Sequence, residues 1–302
     1  MRLCCLGWHA CARCVEQEAS LRLRLEIRSE QLNAACTLEL WQLAFESAEE
    51  LHGLLLHPNN RKAQKSAVML NYYDKVSQVF WVSDNYLFHV CAMQRIYNIT
   101  ERQLLRQVAK TEITREQANK SLGTLASKVL LGALSVPPPP VKALDGDMDP
   151  EKDKHVRMAS LVGHTNVPQR KAIISELVSK NIMANVPTEL QEMFAFVETE
   201  FDPLNLSKRI KPLFSIIENN PELVSYLQAL KQVVLVRLVQ QLSQVYQTMR
   251  ISDFAKLADF LSLHDCEKLI VQAVSNNQVL DPTHFYKALW PQIPRHVCRF
   301  YQ

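Results

Sequence analysis

The sequence contains very little glycine, with 6 residues in a chain of 302. Glycine adopts positive φ more easily than any other residue, and tight hairpin turns, bulges and phosphate-cradling loops depend on it. Leu, Ala, Gln and Lys are abundant instead. The composition therefore disfavours folds rich in such turns and predicts a helical protein.

Long apolar runs are also missing. A membrane-spanning helix needs roughly 20 consecutive apolar residues, whereas the apolar runs here are short clusters such as Leu54 to Leu56 and Val233 to Val236. Near the start, Trp8 and His9 interrupt the apolar stretch before it reaches the length of a signal peptide. We therefore expect a cytoplasmic protein with no membrane partner.

Neither sign of charge dominates the chain. The 34 Lys and Arg and the 31 Asp and Glu give a formal net charge of +3, and the two signs are interspersed rather than gathered in blocks. A strong field that would attract nucleic acid or an anionic membrane is therefore not expected. Any contact with RNA must come from a local basic patch.

The sequence offers no recognisable catalytic or cofactor motif. It contains no GxSxG, HExxH, P-loop or dinucleotide fingerprint. Its histidines show neither metal-ligand spacing nor a pairing with a nucleophile. We predict a protein that is not an enzyme, with no catalytic residues and no cofactor.

Half of the 8 cysteines lie near the start of the chain, at Cys4, Cys5, Cys11 and Cys14. The last two form a CxxC pair, which can belong to a zinc site. Such a site needs a second ligand pair, and only His9 lies nearby. Reduced thiols are the favoured interpretation, and no metal site is predicted.

The first half of the chain shows repeated helical periodicity. Apolar residues recur at helical spacing from Ser20 to Leu56 and again from Val68 to Ile99. The stretch Ser83-Asp84-Asn85 is expected to break the second segment into a hairpin, and Trp41 and Trp81 are interpreted as markers of two successive helix pairs. The aromatic residues of these segments are predicted to be core rather than to line a ligand groove; they are Trp41, Phe45, Tyr73, Phe80, Trp81 and Phe88.

The second half is predicted to contain further helices after a proline-rich linker. A helix from Arg115 to Leu134 ends before the prolines at 137–140, which impose an extended connection. The tetrapeptide Thr188-Glu189-Leu190-Gln191 matches a capping box and predicts a helix start. Three more helices are expected at Leu204 to Ile217, Pro221 to Leu230 and Val233 to Met249.

Two short helices joined by a tight turn follow, from Ile251 to Leu263 and from Cys266 to Ser275. Ser252 and Asp265 are the predicted N-caps of this helix-turn-helix. A helix that reads DNA needs basic and amide side chains, but the second helix carries Asp265, Glu267, Lys268 and Gln272. We therefore favour protein docking over nucleic-acid binding, with these candidate docking residues: Lys256, Asp259, Asp265, Glu267 and Gln272.

One local basic patch stands out upstream of this unit. Lys208, Arg209 and Lys211 lie close together, and Arg237 follows at a distance. These four residues are candidate RNA-contacting residues, although exposed Lys and Arg more often only solvate a helix.

The order of these elements resembles the PCI domain family, which serves the proteasome lid, the signalosome and translation initiation factor three. Several short sequence segments narrow the resemblance to the family of the A subunit of that initiation factor, between about Gln31 and Val279. The segments that carry it are Leu40 to Phe45, Asn71 to Trp81, Leu87 to His89, Lys128 to Leu131 and Leu238 to Gln247.

The resemblance implies a non-catalytic scaffold. In the family, the PCI domain pairs with that of the C subunit and joins the other subunits, and the resulting core is held on the small ribosomal subunit, where mRNA or rRNA lies within reach of basic patches. Three alternatives stay open from the sequence: a scaffold of another PCI assembly, a nucleic-acid-binding winged helix, and a helical-repeat adaptor for peptides.

The predicted fold is all-α, with a TPR-like helical-repeat stack followed by a winged-helix-like PCI unit. The tail lacks the alternating strands of a wing, because Pro282, Pro291 and Pro294 oppose them. The predicted divisions are a poorly ordered terminus outside the family at 1–28, helical-repeat hairpins at 29–136, a linker at 137–148, a PCI helical bundle at 149–250, the helix-turn-helix at 251–280 and a divergent tail at 281–302.

Overall fold

The computed structural model describes residues 4–56, 66–110, 114–138, 150–245 and 251–275. Within these ranges the chain forms α-helices and short 3₁₀-helices and contains no strand. The all-α prediction is confirmed. The predicted linker from residue 139 onward and the tail at 281–302, where a wing would lie, fall outside the described residues.

The helices divide between two compact units. The first unit comprises Met1–Leu125 and Asp149–Gln169, and the second comprises Ala126–Met148 and Arg170–Gln302. The helices are α1 (Cys4–Thr37), α2 (Trp41–Leu56), α3 (Ser66–Val82), α4 (Tyr86–Ala109), α5 (Arg115–Ser135), α6 (Pro150–Leu161), α7 (Arg170–Ser179), α8 (Thr188–Glu198), α9 (Leu206–Glu218), α10 (Leu227–Val245), α11 (Ile251–Leu257) and α12 (Leu263–Ser275). The boundary between the units falls within α5.

Two antiparallel helix pairs, α1 with α2 and α3 with α4, form most of the first unit. Both pairs turn in the same way, through a residue in the left-handed region: Glu39 at φ 58° and Asp84 at φ 56°. At each turn the next amide bonds back to the end of the preceding helix, from Leu40 to Ala35 and from Asn85 to Phe80, at 2.9 Å in both cases. This is the Schellman ending of a helix, formed here without glycine.

The equivalence of the two turns corrects the predicted repeat markers. Trp41 begins the second helix of its pair, whereas Trp81 lies near the end of the first helix of its pair. The two tryptophans are therefore not equivalent, and the repeat is marked by Glu39 and Asp84. The predicted break at Ser83-Asp84-Asn85 is confirmed, because α3 ends at Val82 and α4 begins at Tyr86.

Aromatic and branched side chains fill the core of the first unit. Tyr72, Phe80, Phe88 and Tyr97 are almost fully buried, and the Tyr72 hydroxyl donates a hydrogen bond of 3.1 Å to the Leu161 carbonyl. Such a bond satisfies the one polar group that the ring takes into the interior. Tyr73 is buried as predicted, but Trp41, Phe45 and Trp81 are only half-buried.

The end of α6 is held by a side chain from α4. Gly163 adopts φ 76°, and the Arg95 guanidinium donates to the carbonyls of Val162 at 3.0 Å and Gly163 at 3.1 Å. The last carbonyls of a helix have no partner within the helix. The Arg95 cation also interacts favourably with the negative end of the helix dipole. Arg95 thereby fixes α6 within the first unit.

The second unit is organised around α10, which is buried on most of its sides. Ten of its residues are buried: Leu227, Ala229, Leu230, Val233, Val234, Leu235, Val236, Leu238, Val239 and Leu242. A helix that is apolar on all sides belongs in an interior. The helix is continuous from Leu227 to Val245, so the predicted break between Leu230 and Val233 is wrong. Helix α9 runs through Pro212 as one continuous helix.

The predicted helix start at Thr188 is confirmed, but the predicted capping box does not form. Helix α8 begins at Thr188, but Pro187 occupies the N-cap position and no side chain caps the helix. The Gln191 amide instead donates to the carbonyls of Met183 at 2.9 Å and Val186 at 2.8 Å. These bonds fasten the preceding 3₁₀-helix, Ile182–Asn185, to α8.

Among the described residues, no helix has both the length and the apolar character needed to cross a bilayer.

Candidate docking surface and basic patch

The helix-turn-helix of α11 and α12 packs against α9 in the second unit. The Ser207 hydroxyl donates to the Leu257 carbonyl at 2.7 Å, and the rings of Phe214 and Phe260 meet edge to face with centroids 5.8 Å apart. The residues buried within this part are Phe254, Ala258, Cys266, Ile270 and Ala273. These residues form a small core that closes on α9.

The start of α12 differs from the prediction. The Asp265 amide donates to the Ser262 hydroxyl at 3.2 Å, and that hydroxyl donates to the Asp265 carboxylate at 2.6 Å. Ser262 is therefore the N-cap, and its hydroxyl also bonds to the carboxylate of Asp265 three positions later. The predicted cap at Asp265 is wrong, because a serine three residues earlier bonds to the same helix end. The other predicted cap, Ser252, lies outside the described side chains.

The predicted docking residues lie on or near the surface of α11, α12 and the turn between them. Lys256 pairs with Asp253 at 3.0 Å, and Asp259 pairs with Lys211 of α9. Gln272 is exposed and Glu267 is half-buried. All these ion pairs are well exposed, and pairs of this kind contribute little to stability. The side chains can therefore exchange their partners at low cost.

The structure does not unite the four predicted RNA-contacting residues. Lys208, Arg209 and Lys211 share the start of α9 and are exposed. The Arg209 guanidinium lies 4.6 Å from the centroid of the Phe196 ring, and Lys211 binds Asp259. Arg237 is separate from them, because its guanidinium is largely buried against the end of α8.

Arg237 belongs to an ionic cluster with Glu198 and Arg170. Arg237 donates to the Val197 carbonyl and lies 2.8 Å from the Glu198 carboxylate. Arg170 holds the same carboxylate with two hydrogen bonds and donates to the Val136 carbonyl at 3.0 Å. The three side chains are 18%, 13% and 11% exposed, in the order Arg237, Glu198, Arg170. The cluster thus joins the end of α5 to α7, α8 and α10.

The electrostatics of Glu198 reflect this arrangement. Burial by itself raises the pKa of the carboxyl, but the hydrogen bonds and charges of Arg170 and then Arg237 more than offset that effect and hold the pKa below its ordinary value. Burial in turn lowers the pKa of Arg237 despite the nearby carboxylate. Sequence reasoning missed this cluster, because its members come from three distant segments that carry no shared motif.

The described residues include three buried cysteines and no cluster of metal-ligating side chains. No group of three or more His, Cys, Asp or Glu side chains is placed there as a metal ion would require. Cys266 is buried, and burial together with Asp265 and Glu267 raises the pKa of its thiol to about 11, which makes it a poor nucleophile. Cys36 and Cys91 are also buried thiols. The side chains of the four N-terminal cysteines lie outside the described residues.

Two protein-family models match the sequence of this chain, and together they cover parts of both units. The family model described as "eIF3a, PCI domain, TPR-like region" matches residues 14–205, and the model of the PCI domain matches residues 214–279. The second match covers the end of α9, the central helix α10 and the helix-turn-helix. The first covers more than half of the chain.

The chain belongs to the eIF3a family, the A subunit of eukaryotic translation initiation factor 3. The protein of that name from Arabidopsis thaliana is 34% identical over 282 residues, which cover 86% of this chain and 27% of the relative. That of Emericella nidulans is 37% identical over 253 residues (80% and 24%), and that of Drosophila melanogaster is 34% identical over 266 residues (85% and 22%).

The chain thus spans about a quarter of the length of the curated relatives it matches. The match to the eIF3a model begins at residue 14, upstream of the predicted start of the resemblance at Gln31. Helix α1 likewise begins at Cys4 and runs to Thr37. Residues 14–28 were predicted to belong to a terminus outside the family. They lie in α1 and within the match to the eIF3a model.

Proposed function

We propose that this chain acts as a non-catalytic scaffold subunit of translation initiation factor 3 in the cytoplasm. In this role it docks other PCI subunits, the C subunit among them, and helps to hold the complex on the small ribosomal subunit. The relatives are named as an initiation factor subunit and not as an enzyme.

The observation that carries the proposal is the charge of the helix-turn-helix. Its second helix, α12, shows one lysine, Lys268, beside Asp265 and Glu267, and contains no arginine. A surface that binds phosphates needs a predominance of cations. Mixed charge over a closed apolar core suits a protein partner that brings complementary charges.

Co-expression with the PCI region of the C subunit, followed by size-exclusion chromatography, tests the proposal. We expect a stable complex with the unaltered chain. Charge reversal in the variants Lys256→Glu and Glu267→Lys should weaken it at least about tenfold, since like charges across an interface are costly. Lys171→Glu, at an exposed position on α7, is the matched control and should leave the complex intact. A folded chain that forms no complex contradicts the proposal.

A second candidate function is contact with mRNA or rRNA through the start of α9. The observation in its favour is the exposure of Lys208 and Arg209 on neighbouring positions. Arg237 no longer supports it, because Glu198 and the Val197 carbonyl occupy its guanidinium. In filter binding, Lys208→Ala and Arg209→Ala should each reduce the salt slope by about one if they contact phosphates. Lys120→Ala on α5 is the control, and unchanged slopes in all three variants contradict the RNA contact.

A further inference from the structure

An apolar surface lies where the two helix pairs of the first unit turn. We call it the hairpin tips, defined as residues 38–43 between α1 and α2 and residues 81–86 between α3 and α4. Four large aliphatic side chains are well exposed there: Leu38 at 68%, Leu40 at 50%, Leu43 at 40% and Val82 at 49%. Single exposed apolar residues are ordinary, but a concentration of them marks an interaction surface.

The two tips lie at the same end of the unit because α1 and α3 run in the same direction. Asn71 of α3 bonds to Ser29 and Asn33 of α1, both at 3.1 Å. One turn later along both helices, Cys36 lies within the electrostatic influence of Asp74 and Lys75. With this register and a rise of 1.5 Å per residue, the tip at Asp84 extends about 10 Å beyond the tip at Glu39. The tips therefore form a step.

Half-buried aromatic rings extend the apolar character of this step. Trp81 and Tyr86 meet edge to face at the second tip, with ring centroids 4.9 Å apart, and Trp41 is half-buried at the first. Trp and Tyr are enriched in protein interfaces, because each combines a large apolar body with a polar group. The surface thus has the composition of a binding site for an apolar helix face.

The charge of the tips is negative. Glu39 and Asp84 are exposed, and within the described residues no Lys or Arg forms an ion pair with them. The sequence contains no Lys or Arg at 29–60 or at 76–94, so neither tip carries a cation of its own. Asp84 makes a hydrogen bond of 2.8 Å with the Tyr86 hydroxyl, which leaves its charge in place.

This combination of apolar and acidic groups selects among possible occupants. Nucleic acid and anionic lipid surfaces are repelled by uncompensated carboxylates. A further stacked helix pair would cover the faces of the helices and leave their turns open. A helix with an apolar face bordered by Lys and Arg satisfies both parts of the surface, as amphipathic helices do in hydrophobic grooves. We propose that the hairpin tips bind a basic amphipathic helix of a partner protein.

Backbone conformation adds support for this assignment. Both tips place a carboxylate residue in the left-handed region, where glycine would be less strained. The Schellman ending of each helix requires this conformation, so each tip carries a carboxylate where glycine would carry no charge. The inference does not rest on the proposed function, since the tips lie in the first unit and the predicted docking residues in the second.

A fluorescent synthetic helix of Leu and Lys, arranged with one apolar and one basic face, is a suitable probe for anisotropy titration against the full chain. We expect saturable binding that weakens with salt. A matched helix of Leu and Glu should bind at least about tenfold more weakly, because its charges oppose those of the tips. Equal binding of the two helices, or no binding of either, overturns the proposal.

Variants locate the site. Leu38→Ser, Leu43→Ser and Val82→Ser combined should reduce affinity for the Leu and Lys helix at least about tenfold. Glu39→Gln with Asp84→Asn should reduce it several-fold and flatten its salt dependence. Leu105→Ser is the matched control, because Leu105 is 63% exposed on α4 and lies away from the tips.

Circular dichroism and thermal melts establish that each variant is folded. Leu38→Ser alone, at the most exposed position, serves if the triple variant unfolds. Equal loss of binding in the Leu105→Ser control would assign the effect to general hydrophobicity and overturn the proposal. The same outcome follows if a fluorescent single-stranded RNA oligonucleotide, titrated without the helix, binds the unaltered chain and loses affinity in the triple variant.

Discussion

Glu39 and Asp84 occupy the same position of two successive helix pairs, and both adopt left-handed backbone conformations with φ of 58° and 56°. Each follows the last turn of a long helix and allows the chain to reverse into the next. Glycine is the usual residue at this position, but this chain has little of it. The helix pairs therefore turn on residues that carry a side chain and a charge.

Glycine at the first of these positions should stabilise the protein. Glu39→Gly relieves a left-handed conformation that costs about 1 kcal/mol or more in a residue with a Cβ atom, so we expect a gain of about 1 kcal/mol in the free energy of unfolding. Asp84→Gly should gain less, because Asp tolerates this conformation better and also bonds to Tyr86. Urea denaturation measures both. Glu46→Gly, within α2, is the control and should lose about 1 kcal/mol.

Loss of Glu198 should destabilise the second unit strongly. Glu198→Ala leaves Arg170 and Arg237 facing each other, both largely buried and without their shared carboxylate. Removing one partner of a buried ionic group costs about 3 to 5 kcal/mol. Thermal melts should show this loss for Glu198→Ala and almost none for Glu200→Ala, at the exposed position two residues later. A similar effect of both substitutions would contradict the structural role of the cluster.

Protonation of His89 should destabilise the first unit in mild acid. Burial lowers the pKa of His89 to about 4, although its ring nitrogen Nδ1 lies 2.8 Å from the Ser77 carbonyl. The unfolded chain therefore binds a proton near pH 6.5 that the folded chain takes up only near pH 4. Stability contributed by the neutral ring is complete above about pH 6.5 and declines as the pH falls towards 4, by up to about 3 kcal/mol.

Urea denaturation across pH 7 to 4 measures this dependence. His89→Gln keeps a hydrogen-bond donor and removes the titrating group, so its stability should vary less with pH over this range. His264→Gln, at an exposed position, should retain the full dependence. If His89→Gln and the unaltered chain lose stability in parallel, the assignment to His89 fails.

The N-cap of α12 should be detectable by substitution. Ser262→Ala removes the oxygen that accepts the Asp265 amide hydrogen, and loss of an N-cap costs about 1 kcal/mol. Ser262→Asp should retain most of the stability, since Asp is also a good cap. Hydrogen exchange at the first amides of α12 would show the effect locally, with faster exchange in Ser262→Ala. Unchanged exchange would contradict the capping role.

Local signals in the sequence were sufficient for the helices but not for their ends. The predicted helix from Arg115 to Leu134 matches α5 to within one residue, since the proline run that ends it is a local signal. The two predicted caps were wrong for different reasons: Pro187 takes the N-cap position of α8 and no side chain caps that helix, whereas Ser262 caps α12 three residues before Asp265. Only the folded backbone shows that Gln191 bonds to the preceding 3₁₀-helix and that Ser262 caps α12.

Of the candidate docking surface and basic patch, the sequence revealed only the features that depend on neighbouring residues. The acidic character of α12 is a property of consecutive residues, and it was readable directly. The grouping of Arg237 with Lys208 and Arg209 was not supported, because distance along the chain does not reveal which side of a helix meets which neighbour. Arg237 is buried against α8 and pairs with Glu198, and no local sequence pattern predicts that contact.

The sequence by itself determined that the chain is helical, that it lacks a motif for catalysis and that it resembles the eIF3a family. These results rest on composition, periodicity and short sequence segments, which are all local properties. The tertiary structure alone decided which charges are neutralised and which apolar side chains stay exposed. Glu198 is held by two arginines from other helices, while Leu38 and Val82 remain open to solvent at the hairpin tips. Both outcomes depend on contacts between segments distant in the chain, and such contacts exist only after the helices have packed.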